Sequence, residues 1–557
     1  MRHPLPFVAA VGVLLFLPSL GGGFLADDAY HLAAMENPEM FSGLGPLSLY
    51  TFIDDQPDRM GPVHGDLLPW WASSDFRQDF FRPLSCVFHQ IDHVIYGRNP
   101  VGYHATNLLL WAFVLVMVLL LYRELAGNWK RGPLLVLLAG LFFALDEAHV
   151  LTVCWVANRY ALLGTALSLG AVLQYHRYRN KDGMGYLFWS LLLTGLALLA
   201  DEGSVSLLFW LVAYEVCLSK DRIKKRIGAA APAAAMILVY MAVYTLLGYG
   251  SSGSENYINP LQRPMFFLKE AVAERIPFLL MGALTPVPAQ LSISRLSSDG
   301  LEPLILAWGL SAVMVVLLAC RLRKDRVAGF MALAALGVMI TRATTYPHDR
   351  LLLLATAGSA WVLAAFVAAA WRSGWFWRIA AVAVVGIHGL VAPVQTGKGV
   401  VANTRRAEAM RRAALESDLP GAGQAEGARV LLLSSPPYGY FFPGLRWLEG
   451  LPYPEAVWVV TMGRGDFRLS CTGPNSFRVE ILTHDFLREL AARICRDEFV
   501  FEEGDRFKKG ALEVVITRVK EEQVREFVVS IDRPLDHPRV WLVAWNGSRF
   551  VRMPPPP

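Results

Sequence analysis

Asp27 and Asp28 stand side by side where a first apolar segment, Phe7 to Leu25, gives way to a long polar stretch. Charge at the mouth of an apolar segment is costly unless it has a task. At a membrane face the pair would stand beside any lipid-borne substrate. The plainer reading is a helix cap, since Asp is favoured at the first positions of a helix and one is expected from Ala29. Other chemistry-bearing residues fall at comparable places. Arg159, Arg342 and Arg350 lie near the ends of apolar segments, as do Glu202, His104 and His149, and Arg82 stands in the long polar stretch directly before Pro83; all four arginines are expected near the outer face. For Arg342 and Arg350 the alternative is snorkelling to the headgroup layer. For Arg82 it is anchorage of a surface helix, for Glu202 a solvated turn, and for the two histidines helix packing.

What must position these residues is a membrane domain. Of 557 residues 54% are hydrophobic and only 18% charged, which departs from soluble averages and reads as a polytopic membrane protein. The net charge of +5 does not point to nucleic acid, because the basic residues cluster between apolar segments. A bilayer core needs roughly 20 apolar residues per helix. Segments 5–25, 105–122, 132–146, 158–175, 185–200, 203–218, 228–248, 303–320, 327–344, 350–371 and 377–395 qualify, giving about eleven spans. The first has a second reading as a cleaved signal peptide with Phe24-Leu25-Ala26 as a weak processing site.

Lys and Arg orient the spans. Arg123, Lys130 and Arg131, then Arg177, Arg179 and Lys181, then Lys220 to Arg226, then Arg321 to Arg326 mark alternate connections as cytoplasmic. Connections 147–157, 201–202 and 345–349 carry no Lys or Arg and face outward, together with the long segments 26–104 and 249–302. Lys398, Arg405, Arg406, Arg411 and Arg412 pull against this scheme. Within the first long segment, Leu84, Val87, Phe88, Ile91, Val94 and Ile95 recur at helical spacing after Pro83, so a short helix lying in the membrane interface is expected there.

The chain therefore divides into a transmembrane domain (1–396), a basic helix and linker (397–428) and a soluble α+β domain (429–557). In the last, strands are expected at 429–434, 455–461, 477–483, 511–518, 526–531 and 540–545, with a helix at 484–495. Asn546-Gly547 signals a two-residue hairpin. Of six cysteines, only Cys471 and Cys495 share a polar region, and a disulfide there would need an oxidising compartment.

Asp27-Asp28, Phe81-Arg82-Pro83-Leu84, Tyr96-Gly97, Tyr103-His104 and Asn107-Leu108-Leu109 resemble the N-terminal half of the polytopic GT-C glycosyltransferases, in particular the protein O-mannosyltransferase-like bacterial branch. The similarity continues through Phe142 to Leu145, His149, Trp155, Arg159, Leu198 to Glu202 and His348-Asp349-Arg350-Leu351. The resemblance implies transfer of a sugar from a polyprenyl-phosphate donor to a protein, lipid or glycan acceptor on the outer face of the inner (plasma) membrane. It gives Asp27 or Asp28 the role of base in an inverting reaction, and a partly desolvated carboxylate has the raised pKa that role needs. The leaving phosphate would meet Arg82, Arg159, Arg342 or Arg350, with Glu202, His104 and His149 in support.

The chain departs from that pattern. Asp146-Glu147 stands where relatives tend to carry His-Pro, Asp201-Glu202 where they carry Lys-Glu, and Tyr160-Ala161 where an acid follows the arginine. The resemblance calls for no cofactor, and the extra acids are where a divalent metal would be held if one were used. No tetratricopeptide period follows the membrane domain, although the animal O-mannosyltransferases carry one. The C-terminal domain is expected outside the cytoplasm. Two other classes remain open: a lipid transporter or flippase, and a non-catalytic membrane scaffold.

Overall fold

A computed structural model describes residues 4–41, 44–54, 68–127, 132–181, 183–297, 300–463, 466–483, 486–488 and 490–557. Lys130 and Arg131 of the orientation argument lie outside these. The chain forms two compact units. The first comprises Met1–Gly22, Phe81–Tyr249 and Asn259–Arg405, and the second Gly23–Phe80, Gly250–Ile258 and Arg406–Pro557.

In the first unit a helix occupies every expected apolar segment. Among the described residues six helices are long and apolar enough to cross a membrane, or seven if Gly132–Ala144 and Glu147–Cys154, bent by 46°, form one span. Leu5–Gly21 and Met184–Ala200 are apolar but shorter. At the centre lies Leu353–Ala370, LLATAGSAWVLAAFVAAA, buried on nearly every side. Its small residues let neighbouring backbones approach closely: a Cβ on Gly358 would sit 2.4 Å from the Met331 carbonyl oxygen. The N-terminal helix Pro4–Phe16 belongs to this core, with Val8 and Phe16 fully buried and Trp111 Nε1 donating to the Gly12 carbonyl at 3.1 Å.

The interfacial helix forms as Pro83–Tyr96, with Pro83 in its first turn. Its buried side is polar, with Ser85, His89 and Asp92, while Val87, Ile91, Val94 and Ile95 are exposed. That is the reverse of a helix on a soluble protein and suits an apolar surrounding. Segment 249–302 departs from the expected loop. Pro264–Glu270, a π turn Ala271–Arg275 and Ile276–Leu284 run as continuous helix, with Phe278, Leu279 and Met281 buried. Ser311 Oγ donates to the Pro277 carbonyl at 2.8 Å and Arg275 to the Ala343 carbonyl at 3.1 Å. Lys269, Glu270, Glu274 and Arg275 interrupt the apolar run, which is why hydropathy alone passes it over.

The second unit corrects the domain division. Residues 23–80 and 250–258 do not fold as loops of the membrane domain but with 406–557. Trp70 Nε1 donates to the Val460 carbonyl, Phe41 packs edge-on against Trp447 at 4.9 Å, and Arg493 pairs with Glu255 at 2.7 Å. Short strands Thr51–Ile53, Arg77–Asp79 and Gly250–Ser252 make a small antiparallel sheet. Strands Arg429–Ser434, Ala456–Val459 and Val540–Trp545 run parallel, and Phe550–Arg552 closes that sheet antiparallel. A five-stranded antiparallel sheet contains the remaining expected strands together with Phe467–Gly473 and Arg506–Lys509, polar edge strands that alternation does not mark. Trp545 pairs with Phe550, so the Asn546-Gly547 turn has four residues rather than two. Asn546 Oδ1 closes it by accepting from the Ser548 and Arg549 amides. Cys471 and Cys495 are free.

One buried cation organises this unit. Arg446 donates to the carbonyls of Ala414 and Leu415, free acceptors in the last turn of helix Ala392–Glu416, and of Ser417, Leu419 and Pro420 in the segment that follows it. Arg446→Met strips those carbonyls of their donor, and the expected loss is about 2–3 kcal/mol, read as a fall in the denaturation midpoint of the full-length protein. An unchanged midpoint would show that water replaces the guanidinium at no cost.

Candidate functional site

The sequence-selected residues fall into both units, and each unit is described separately. In the second, Ala26 has φ +46°, uncommon for a residue other than glycine. Helix Asp27–Glu36 starts at the next residue. Asp28 is buried, and its Oδ2 accepts the Leu25 amide at 2.8 Å, tying the turn to the helix start. Asp27 is half-exposed. Neither Asp is the N-cap, a position held by Ala26; Asp28 lies in the first turn and reaches back to the Leu25 amide, and strained backbone stands immediately before the pair, where strain is a pointer to function.

In the first unit short 3₁₀ helices, Glu147–His149, Glu202–Ser206 and Asp349–Leu351, carry His149, Glu202 and Arg350, and a fourth, Val156–Asn158, directly precedes Arg159. Asp146 Oδ1 accepts the Ala148 amide and Asp201 Oδ1 the Gly203 amide, each at 2.9 Å, so the Asp of both Asp-Glu pairs is an N-cap. Capping is a physical reason for the acids that depart from the family pattern.

Asp201 and Glu202 also each hold an arginine. Arg82 meets Glu202 in a two-point contact, Nε to Oε2 at 2.7 Å and a terminal nitrogen to Oε1 at 2.5 Å, and stacks 3.6 Å from the Tyr160 ring centroid. Arg342 pairs with Asp201. Its guanidinium lies against Gly203, where a Cβ would come within 2.2 Å of Cζ. The resulting row, Arg82–Glu202–Asp201–Arg342, is electrically neutral. Burial pushes the Glu202 carboxyl up, but the adjacent Arg82 charge and hydrogen bonds outweigh it and hold the carboxyl below its ordinary range. Asp349 accepts the Ala289 amide at 2.7 Å, and burial pushes its carboxyl up to about 6.

Arg159 is fully buried, pairs with Asp92 at 2.6 Å and donates to the Phe88 and Tyr103 carbonyls. Thr106 completes Asp92 at 2.7 Å. Arg350 lies 5.5 Å from the Trp155 ring and 5.8 Å from the Tyr346 ring. His149 is buried between Trp111 and Phe143 and meets Thr356 Oγ1 at 2.8 Å. His104 is buried, with Gly22 leaving room for its ring. The sequence pointed to Arg82, Arg342 and Glu202 but not to their common row, nor to Asp92, and it marked Tyr160 only as a departure from the family pattern. Its position beside Arg159 was the only other signal. Asp201 and Glu202 face guanidinium groups, and among the described residues no set of three His, Cys, Asp or Glu side chains is grouped as metal ligands would be.

Gly203→Ala drives a methyl group into Arg342 and breaks its pair with Asp201, so stability falls by about 2–4 kcal/mol, measured by thermal unfolding in detergent. Replacing Asp201 by Asn and Arg342 by Gln together costs less than either change alone, since neither charge is then left unpaired. The depressed Glu202 carboxyl contributes stability that is complete above its ordinary value of 4.5 and is lost as pH falls toward the folded value. Glu202→Gln removes that acid-side slope.

No protein-family model matches the chain. Human protein O-mannosyl-transferase TMTC4 is 27% identical over 218 residues, 36% of this chain and 27% of that protein. Drosophila melanogaster protein O-mannosyl-transferase Tmtc1 is 28% identical over 36% of this chain and 21% of its own length. Human protein O-mannosyl-transferase TMTC2 is 23% identical over 58% of this chain and 37% of its own. The aligned parts thus span about a fifth to two fifths of these relatives. Among solved structures, ArnT from Cupriavidus metallidurans bound to undecaprenyl phosphate covers 94% of this chain and 97% of its own at 11% identity and a TM-score of 0.37. The oligosaccharyltransferase of Archaeoglobus fulgidus in the apo form covers 82% of this chain and 64% of its own at 12% identity and a TM-score of 0.41. In the aligned segments, then, this chain is similar in sequence to proteins named protein O-mannosyl-transferase, the group that its own motifs resemble.

Proposed function

We propose that this chain is a membrane glycosyltransferase of the GT-C type that moves a sugar from a polyprenyl-phosphate carrier to an acceptor hydroxyl on the extracytoplasmic face, with inversion at the anomeric carbon. The observation that carries the reading is Asp27: a half-exposed carboxylate directly after strained Ala26, in the first polar stretch, in a chain whose sequence relatives are named for O-mannosyl transfer. Mannose on a polyprenyl phosphate and a protein hydroxyl are therefore the first donor and acceptor to test.

In this mechanism Asp27 takes the proton of the acceptor hydroxyl as its oxygen bonds to the anomeric carbon. The bond from that carbon to the phosphate oxygen breaks, and the polyprenyl phosphate leaves with the electron pair. Asp28 holds the turn that presents Asp27. Arg350, set among aromatic rings, is the proposed contact for the donor phosphate. Arg82, Arg159 and Arg342 face carboxylates, and with Glu202, His104 and His149 they position the surrounding turns. The reading includes about eleven spans in an inner (plasma) membrane and a C-terminal domain on the extracytoplasmic side.

Asp27→Asn lowers transfer from radiolabelled polyprenyl-phosphate mannose by about 10²–10⁴-fold while donor binding is unchanged. Arg350→Gln weakens donor binding instead. Wild-type turnover by Asp27→Asn removes the base, and passage of labelled lipid across sealed vesicles without covalent product replaces transfer with transport.

A further inference from the structure

The end of the first unit opposite the 3₁₀ turns has a separate charge pattern. Helix Ile223–Leu246 begins there, and helix Glu302–Leu322 ends there before helix Arg326–Arg342. Arg326 clips the two connections together, with Nε donating to the Cys217 carbonyl at 2.6 Å and a terminal nitrogen to the Ser219 carbonyl at 3.2 Å. Arg321 extends the surface to residues 369–377: it donates to the Ala369 carbonyl and Ser373 and lies 5.0 Å from the Trp377 ring.

Acids at this end are held by neighbouring cations or backbone amides. Asp221 and Glu215 hold Arg179, at 2.7 and 2.8 Å. Glu124 holds Arg177 at 3.0 Å. Asp325 accepts the Val327 and Ala328 amides as a helix cap. The remaining cations, Lys220, Arg222, Lys224, Lys225, Arg323 and Lys324, are all exposed. Among the described residues none of them has a carboxylate partner within 4 Å. The result is a one-sign surface on two connections locked side by side.

Its depth in a membrane is marked by its neighbours. Trp371, Trp375 and Phe376 are exposed at the same end, at 56%, 75% and 54%, and aromatic rings of this kind favour the membrane–water boundary. Ile223 and Ile227 are also exposed and flank Lys224 and Lys225 in the first turns of their helix. Cations interleaved with lipid-facing side chains stand at the level of lipid phosphates rather than out in the solvent.

We propose that this surface binds the headgroups of anionic phospholipids in the leaflet it faces. The occupant is a lipid phosphate, because a free polyphosphate would have no use for the flanking apolar residues. The proposal is independent of sugar transfer. Full-length protein in neutral detergent, examined by native mass spectrometry, retains phosphatidylglycerol at least tenfold over phosphatidylcholine, and the preference falls as salt screens it. Changing Lys220, Arg222, Lys224, Lys225, Arg323 and Lys324 together to Gln abolishes the preference. Changing only the lysines to Arg preserves it. Because the Gln changes also weaken the orientation signal, the lipid preference and its salt dependence in wild-type protein test the inference without any variant. Equal retention of phosphatidylcholine, a preference kept by the Gln variant, or displacement of the lipid by inorganic pyrophosphate would overturn it.

Discussion

Guanidinium groups buried among apolar helices must find negative charge, and in the helical unit that requirement organises the connections. Arg82 reaches Glu202, Arg342 reaches Asp201, and Arg159 reaches Asp92. Each pair ties an element to one distant in sequence. Leaving either partner alone in such surroundings costs far more than the pair contributes, so turns that hydropathy leaves undetermined acquire fixed positions. Glycine at 203 and 164 makes the arrangement sterically feasible: a Cβ at 203 would strike Arg342, and one at 164 would come within 2.6 Å of Asp201 Cβ.

The same pairs sort the arginines by chemistry. A cation already matched to a carboxylate has little net charge to offer a phosphate, and Arg350 packs 5.5 Å from the Trp155 ring and 5.8 Å from the Tyr346 ring. The acids divide similarly. Asp146, Asp201 and Asp28 each accept a local backbone amide, so the carboxylates that look most unusual in the sequence are largely spent on the backbone of their own turns. Asp27 differs in being half-exposed at the start of a helix whose preceding residue is strained.

Charge is also segregated along the helical unit. Carboxylates near the Lys- and Arg-rich connections are consumed by Arg177, Arg179 and helix caps, leaving lysines and arginines outward among exposed tryptophans. At the other end Arg82, Arg342 and Arg159 are each matched to a carboxylate. An orientation rule read from loop composition thus has a counterpart in three dimensions, made by what holds the acids rather than by how many basic residues there are.

Sequence alone determined the position of the apolar helices outside segment 249–302, the interfacial helix after Pro83 and the parallel strands near 430, 457 and 542, because each depends on a local periodicity that burial in lipid or in a sheet imposes. It also marked Arg82, Glu202 and Arg342, since charge beside an apolar run is conspicuous. Only the tertiary structure decided that Glu202 belongs to Arg82 and Asp201 to Arg342, that Ile276–Leu284 is packed as a helix, and that residues 23–80 fold with 406–557. Those outcomes rest on contacts such as Trp70 to Val460, hundreds of residues apart. No local pattern encodes which buried carbonyl a tryptophan, or which buried carboxylate an arginine, will be the one to reach.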